Sequence, residues 1–282
     1  MAVGNGWRVK NVEFKSSNYF KLWINGVNDV QVNNIYFSGT VGAGNDCIGG
    51  GGNCSNIYVL NAKYIAGVNG NALDITNGSE VYYMFAKNVN TPVIFEGVVD
   101  STIAYNDIVA GGITVQSDAG YPSHTTVTNP KNVIVQFNTV RNSPSNGILL
   151  KYSNGSLATV KGGYNTISGN NVRGSYHSGI LAISDAAVLG VYPSIGGDKI
   201  LNNTCIDNNQ ENAATYNTGY GVCNPSGINI LQAFYPIITG NTCTNEAGTT
   251  QKYGIQLGRT DSTTDAPTNV LVDGNNVAGN AS

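Results

Sequence analysis

Carboxylates are scarce in this chain, which makes their placement informative. Only 31 of the 282 residues are charged, 17 of them Asp or Glu, and that 11% is under half the roughly 25% of an average globular protein. Two acids stand out. Asp74 sits within Ala72-Leu73-Asp74-Ile75, and Glu96 closes the run Val93-Ile94-Phe95-Glu96. One carboxylic acid that protonates a leaving oxygen, with one carboxylate as base or nucleophile, is the pair that cleaves a glycosidic bond. Asp118 and Asp185 form a further recurring acidic position, each directly after a serine, Ser117 and Ser184. Lys151 and His124 are candidate bases for a different chemistry, removal of a sugar-ring proton in a lyase or epimerase. No metal site and no cofactor are expected, because the chain has two histidines and no Cys-x-x-Cys pair among its five cysteines.

The elements that must hold these residues follow from composition and repeats. With 40 Asn and 36 Gly, residues that compete with helix through side-chain hydrogen bonds and free backbone dihedrals, a helical fold is excluded. A tetrad of any residue, Asn, a short polar residue and a small apolar one recurs. Its Asn falls at positions 106, 138, 170, 203, 241 and 275, in steps of 32, 32, 33, 38 and 34. A second signature accompanies it, as in Gly147-Ile148-Leu149-Leu150, Gly179-Ile180-Leu181-Ala182 and Gly227-Ile228-Asn229-Ile230. Its apolar alternation reads as a short strand with first and third positions inward. Two or three such strands per repeat, with Asn and Gly at the turns, predict an all-β, single-stranded right-handed parallel β-helix of about ten coils. Stacked coils place the recurring Asn in a self-satisfying amide ladder. Cys205 and Cys243 fall in one column and are expected to stack as buried thiols.

Aligning the coils on this strand gives an outward floor. One column reads Trp23, Gly49, Asp74, Ile94, Thr114, Leu149, Leu181, Asn229, Gln256, and the next includes Glu96, Gln116, Lys151, Ile183 and Leu231. Asp74 and Glu96 are then one coil and one outward step apart, about 8 Å between Cα atoms, within reach of a retaining or an inverting carboxylate spacing. Insertions 118–131, 152–164, 185–199 and 258–269 all follow the floor strand, so they are expected to rise as one wall carrying Tyr121, His124, Tyr152 and Arg259. The segment 207–224 precedes its strand and is expected to form the opposite wall over the later coils. A trough with tyrosine and amide groups on its sides suits an extended sugar chain. Trp23, Gln116, Lys151, Tyr121, His124, Tyr152, Asp185 and Arg259 are its candidate substrate-binding residues.

The repeat pattern, from Val9 to Val277, resembles the pectin-lyase-like superfamily, which includes polygalacturonases, pectate lyases and bacteriophage tailspike depolymerases. Gly44-Asn45-Asp46-Cys47-Ile48 is similar to the polygalacturonase segment Asp-Asp-Cys-Ile, in which the acids are catalytic. The resemblance carries Asp46 over as a candidate catalytic residue. It stops there, because the family's Gly-His-Gly is replaced by Gly70-Asn71-Ala72 and its Asn-Thr-Asp by Leu22-Trp23-Ile24. The resemblance implies a glycoside hydrolase that degrades polysaccharide, with Glu96, Asp74, Asp118 and Asp46 as catalytic candidates. A non-catalytic glycan-binding shaft or a lyase or epimerase on the same fold are the alternatives.

With a sequence pI near 5.3 and no basic stripe, no nucleic-acid partner is expected, and no apolar run reaches the ~18 residues of a membrane span. The first residues have neither the basic start nor the apolar core of a secretory signal. The whole chain is expected to be one β-helix domain cut from a longer protein, without caps over its end coils. Tailspike-like relatives imply an extracellular or virion-surface location and a homotrimer.

Overall fold

The computed structural model describes residues 1–15, 22–38, 47–51, 54–64, 71–76, 79–83, 85–87, 91–117, 127–152, 158–160, 162–184, 196–212, 214–217, 222–231, 235–246, 251–258 and 267–280. Strands that alternate inward apolar and outward polar side chains cannot bury their apolar face alone, and here they do so by stacking. Nine of them form one parallel sheet: Leu22–Asn25, Ile48–Gly51, Asn71–Thr76, Thr91–Glu96, Ile113–Gln116, Ile148–Tyr152, Ile180–Ser184, Ser226–Leu231 and Tyr253–Leu257. Ala2 bridges to Trp23 and adds a tenth rung. A sixteen-stranded sheet, also parallel, supplies the other faces of the solenoid. The chain is thus the expected right-handed parallel β-helix.

Register is uniform along the floor. Trp23 pairs with Gly49, Asp74 with Ile94, Ile94 with Thr114, Thr114 with Leu149, and Leu149 with Leu181. The inward residues between them, among them Val93, Phe95, Ile113, Val115, Ile148, Leu150, Ile180, Ile228 and Ile230, join one continuous core. Each such side chain withdrawn from water contributes about 1.5–3 kcal/mol before the entropy of ordering is subtracted. Cys205 and Cys243 pair in register inside it as free thiols.

The glycine that opens the floor strand has a steric cause. A Cβ on Gly147 would lie 2.2 Å from Val172 Cγ1 and 2.8 Å from the carbonyl oxygen of Gly179. On Gly179 or Gly227 it would meet the carbonyl of the next glycine in the column at 2.7 Å. Successive corners are therefore too close for any side chain. The opposite corner is built from residues at positive φ, from Asn11, Asn34 and Asn61 through Tyr83, Tyr105 and Phe137 to Gly169. There the left-handed strain of Tyr83, Tyr105 and Phe137 is offset by stacking, with ring centroids 5.9 and 5.4 Å apart.

The asparagine column forms the amide ladder. Asn106, Asn138, Asn170, Asn203 and Asn241 are buried. Each donates its backbone N–H and its Nδ2 to the Oδ1 of the Asn one coil on, at 2.8–3.0 Å. Nδ2 also reaches a backbone carbonyl, as from Asn170 to Val135. Both the amides and the turn backbone are thereby satisfied without water.

Candidate functional site

Alternation along Thr91–Glu96, Ile113–Gln116 and Ile148–Tyr152 turns Glu96, Gln116 and Lys151 outward in one row. Glu96 pairs with Gln116 and Gln116 with Lys151. All three are half-buried. Gln116 Nε2 donates to Glu96 Oε1 at 2.5 Å, so the amide fixes the carboxylate's orientation from the neighbouring coil. Neighbouring strands lie about 4.8 Å apart, which puts the backbones of Glu96 and Lys151 about 10 Å apart on either side of Gln116.

The adjoining column, Ile94, Thr114 and Leu149, is the base of an open cleft of about 270 Å³ whose rim is formed by Ser143, Ser145 and Asn146. Trp23 is half-buried at the N-terminal end of the floor, beside Gly49. Asp74 belongs to this floor by backbone register, between Gly49 and Ile94; its side chain lies outside the described structure. Asp46, Asp118, Tyr121, His124, Asp185 and Arg259 also lie outside the described residues.

Two expectations are corrected. Tyr152 is not on a wall. It is the fifth residue of Ile148–Tyr152, so its parity sends it inward with Ile148 and Leu150, and it is buried. Its hydroxyl donates to Asp198 Oδ2 at 2.5 Å and accepts from Asn165 Nδ2 at 2.6 Å. Burial pushes the Tyr152 phenol well above its ordinary value, and Asp198 adds to the rise. Asp198 is itself raised by burial, against the opposing hydrogen bonds from Tyr152 and Asn165. This network takes no part in the groove.

The second correction concerns the floor of the later coils, which the segment from residue 207, lying over them as expected, closes off. Tyr216–Asn217 and Val222–Cys223 pair as an antiparallel hairpin, and Tyr216 and Cys223 pack on Leu181, Ile183 and Leu231. The outward positions of these later coils are therefore buried, and the exposed floor ends near Leu149 and Lys151. Tyr216 OH donates to Asn146 Oδ1 at 3.0 Å and lies 3.0 Å from Ser178 Oγ. His177 stacks on Tyr216 with centroids 4.4 Å apart and contacts Glu211 at 3.1 Å. Burial lowers the His177 pKa, partly countered by Glu211.

Among the described residues, no group of three or more His, Cys, Asp or Glu is placed to hold a metal ion, and no helix is long and apolar enough to cross a membrane. Asp198 was missed in the sequence, although its separation of 33 from Asn165 repeats the step between Asn170 and Asn203 and marks a second corner ladder.

No protein-family model matches the sequence, and no curated protein does. Solved structures do match. The chain is similar to the A-module of the mannuronan C-5 epimerase AlgE4 of Azotobacter vinelandii at 14% identity and a TM-score of 0.51, covering 97% of this chain and 87% of that one. It is similar to the A-module of AlgE6 from the same organism at 13% identity and a TM-score of 0.50, covering 95% and 89%. At these identities the likeness establishes the fold alone, the right-handed parallel β-helix.

Proposed function

We propose that this protein is a polysaccharide-degrading enzyme of the glycoside hydrolase type, holding an extended glycan along the exposed floor of the nine-stranded sheet. The observation that carries this reading is Glu96, half-buried and oriented by Gln116 beside an open cleft. Glu96 and Asp74 serve as the carboxyl pair, with Asp118 and Asp46 as further candidate acids. Trp23, Gln116 and Lys151 contact the glycan, together with Tyr121, His124, Asp185 and Arg259 from the segments after the floor strands. Such an enzyme works where its polysaccharide is, outside the cell or on a virion, and a homotrimer is the assembly we propose, to be checked by light scattering.

Incubation with a panel of capsular, lipopolysaccharide and plant polysaccharides tests the reading. New reducing ends are expected with the unaltered protein and a large loss with Glu96→Gln and with Asp74→Asn. Undiminished activity in both variants would remove the assignment.

A second reading is favoured by Lys151 in the row of Glu96. It would act as the base of a lyase or C-5 epimerase, the activity named for the two Azotobacter proteins. Ultraviolet-absorbing unsaturated products, or inverted uronate residues seen by NMR without new reducing ends, would select it.

A further inference from the structure

The cleft beside Glu96 owes its existence to a difference in turn length. Val109 pairs with Arg141 and Ile113 with Ile148, yet Val109 and Ile113 are four steps of chain apart and Arg141 and Ile148 seven. The three extra residues lift Ser145 and Asn146 above the floor, and over the short Ala110-Gly111-Gly112 turn a notch remains. Its base, Ile94, Thr114 and Leu149, is apolar apart from the Thr114 hydroxyl, and its sides are polar, formed by Gln116, Ser145 and Asn146.

Asn146 is oriented for a ligand. Its Oδ1 accepts from the hydroxyl of Tyr216 at 3.0 Å and from the N–H of Ser178 at 3.2 Å. The Nδ2 group, with two hydrogens to donate, makes no hydrogen bond among the described residues, and neither do the hydroxyls of Thr114 and Ser145. A largely apolar base beside amide and hydroxyl groups that have no partner among the described residues matches a pyranose, which has one C–H face and a rim of hydroxyls. The volume of about 270 Å³ lies just below the roughly 300–1,000 Å³ of sites that enclose drug-sized ligands, and it suits one sugar ring.

Charge narrows the class. None of the described residues lining the cleft is charged, and the next position of its floor column, paired with Ile94, is the acid Asp74. The two charges on the adjoining row, Glu96 and Lys151, flank Gln116 from opposite sides and offset one another. A carboxylate entering here would lose hydration without a dedicated cation in return. We infer that the cleft is a subsite for a neutral pyranose residue, so the glycan this protein takes is neutral at that position and not a polyuronate. This inference rests on the glycan-binding reading proposed above and names its substrate class.

The test is binding of the intact chain to a glycan array that carries both neutral hexose oligosaccharides and oligouronates, with two variants that fill the cleft, Ser145→Trp and Thr114→Phe. Thr114 is an outward strand position where an aromatic residue is well tolerated, so it remains informative if Ser145→Trp folds poorly. Retention of neutral glycans, weakened at least about tenfold (1.4 kcal/mol) in a folded variant, is expected. Retention of oligouronates alone would overturn the neutral-sugar inference and leave the glycan reading standing. Neutral glycans held equally by folded variants would overturn the subsite. An array with no bound glycan would overturn both.

Discussion

The hydroxyl of Tyr152 donates to Asp198 Oδ2 at 2.5 Å inside the solenoid, across 46 residues of sequence. Asn165 bonds both partners, through Nδ2 to the hydroxyl and through its backbone N–H to Asp198 Oδ1. Burial raises the Asp198 pKa above the roughly 3.9 of a free aspartate. A carboxyl whose folded pKa is raised contributes stability that is fully present below its unfolded value and lost as pH rises through the folded one. The thermal midpoint is therefore expected to carry a component that falls as pH increases from about 4, and Asp198→Asn should remove that component. Melting curves of both proteins across the pH range check it; identical pH slopes would refute the assignment.

His177 should act in the opposite sense. Its pKa is lowered by burial, so its contribution is present above the free-histidine value of about 6.5 and lost as pH falls through the depressed one. Acidification should loosen the Tyr216–Cys223 hairpin from Leu181 and Leu231 before the core opens. Hydrogen exchange at residues 222–231, measured at neutral and mildly acidic pH and referred to the intrinsic rate at each pH, is expected to show lower protection there in acid, and His177→Phe should flatten the effect.

Gln116 is a positioning residue in the proposed reaction. Gln116→Ala should lower kcat with a smaller change in KM and move the acidic limb of the pH–rate profile, because it removes the amide that holds Glu96. Glu96→Gln should cost about 10²–10⁴ in rate, the usual contribution of a general acid or base. A Gln116→Ala loss confined to KM would assign that residue to glycan contact alone.

The asparagine ladder gives a stability prediction. Asn170→Ala takes away the acceptor used by both N–H and Nδ2 of Asn138, at roughly 1–3 kcal/mol for each buried donor left unsatisfied. Asn170→Asp keeps the acceptor and should be milder toward Asn138, while losing the bond to the Val135 carbonyl. Urea denaturation of the three proteins orders them.

Gly147→Ala should be destabilising by about 1–3 kcal/mol through overpacking, because its Cβ would sit 2.2 Å from Val172 Cγ1. Adding Val172→Ala is expected to restore only part of the loss, since the Gly179 carbonyl at 2.8 Å is backbone and cannot withdraw. Full restoration would mean that the column is set by side chains.

The coil repeat and both outward floor columns were legible because strand periodicity and the Gly-Ile signature fix parity coil by coil. Glu96, Gln116 and Lys151 fall in register for that reason. Tyr152 was misplaced because the strand runs two residues further than its signature, and that extension turns a presumed wall residue inward. The hairpin over Leu181 and Leu231 was not legible, since the length of a segment says where it leaves the coil and not whether it folds back. The apolar outward residues Leu181, Ile183 and Leu231 were the available sign that something covers them. Asp198 escaped notice because a ladder of mixed Asn and Asp shows no single-letter repeat.

The amide ladder also has a polarity. All five Nδ2-to-Oδ1 links, from Asn106 through to Asn275, point toward the C-terminal coil, and aligned amides polarise one another. The column is thus an aligned row of dipoles along the solenoid axis. Each coil receives bonds from the one before it and donates to the one after, so a folding coil completes its predecessor's donors as it docks. This makes the stack a one-way template, in which an error in one coil is felt first by the coil that precedes it in the chain.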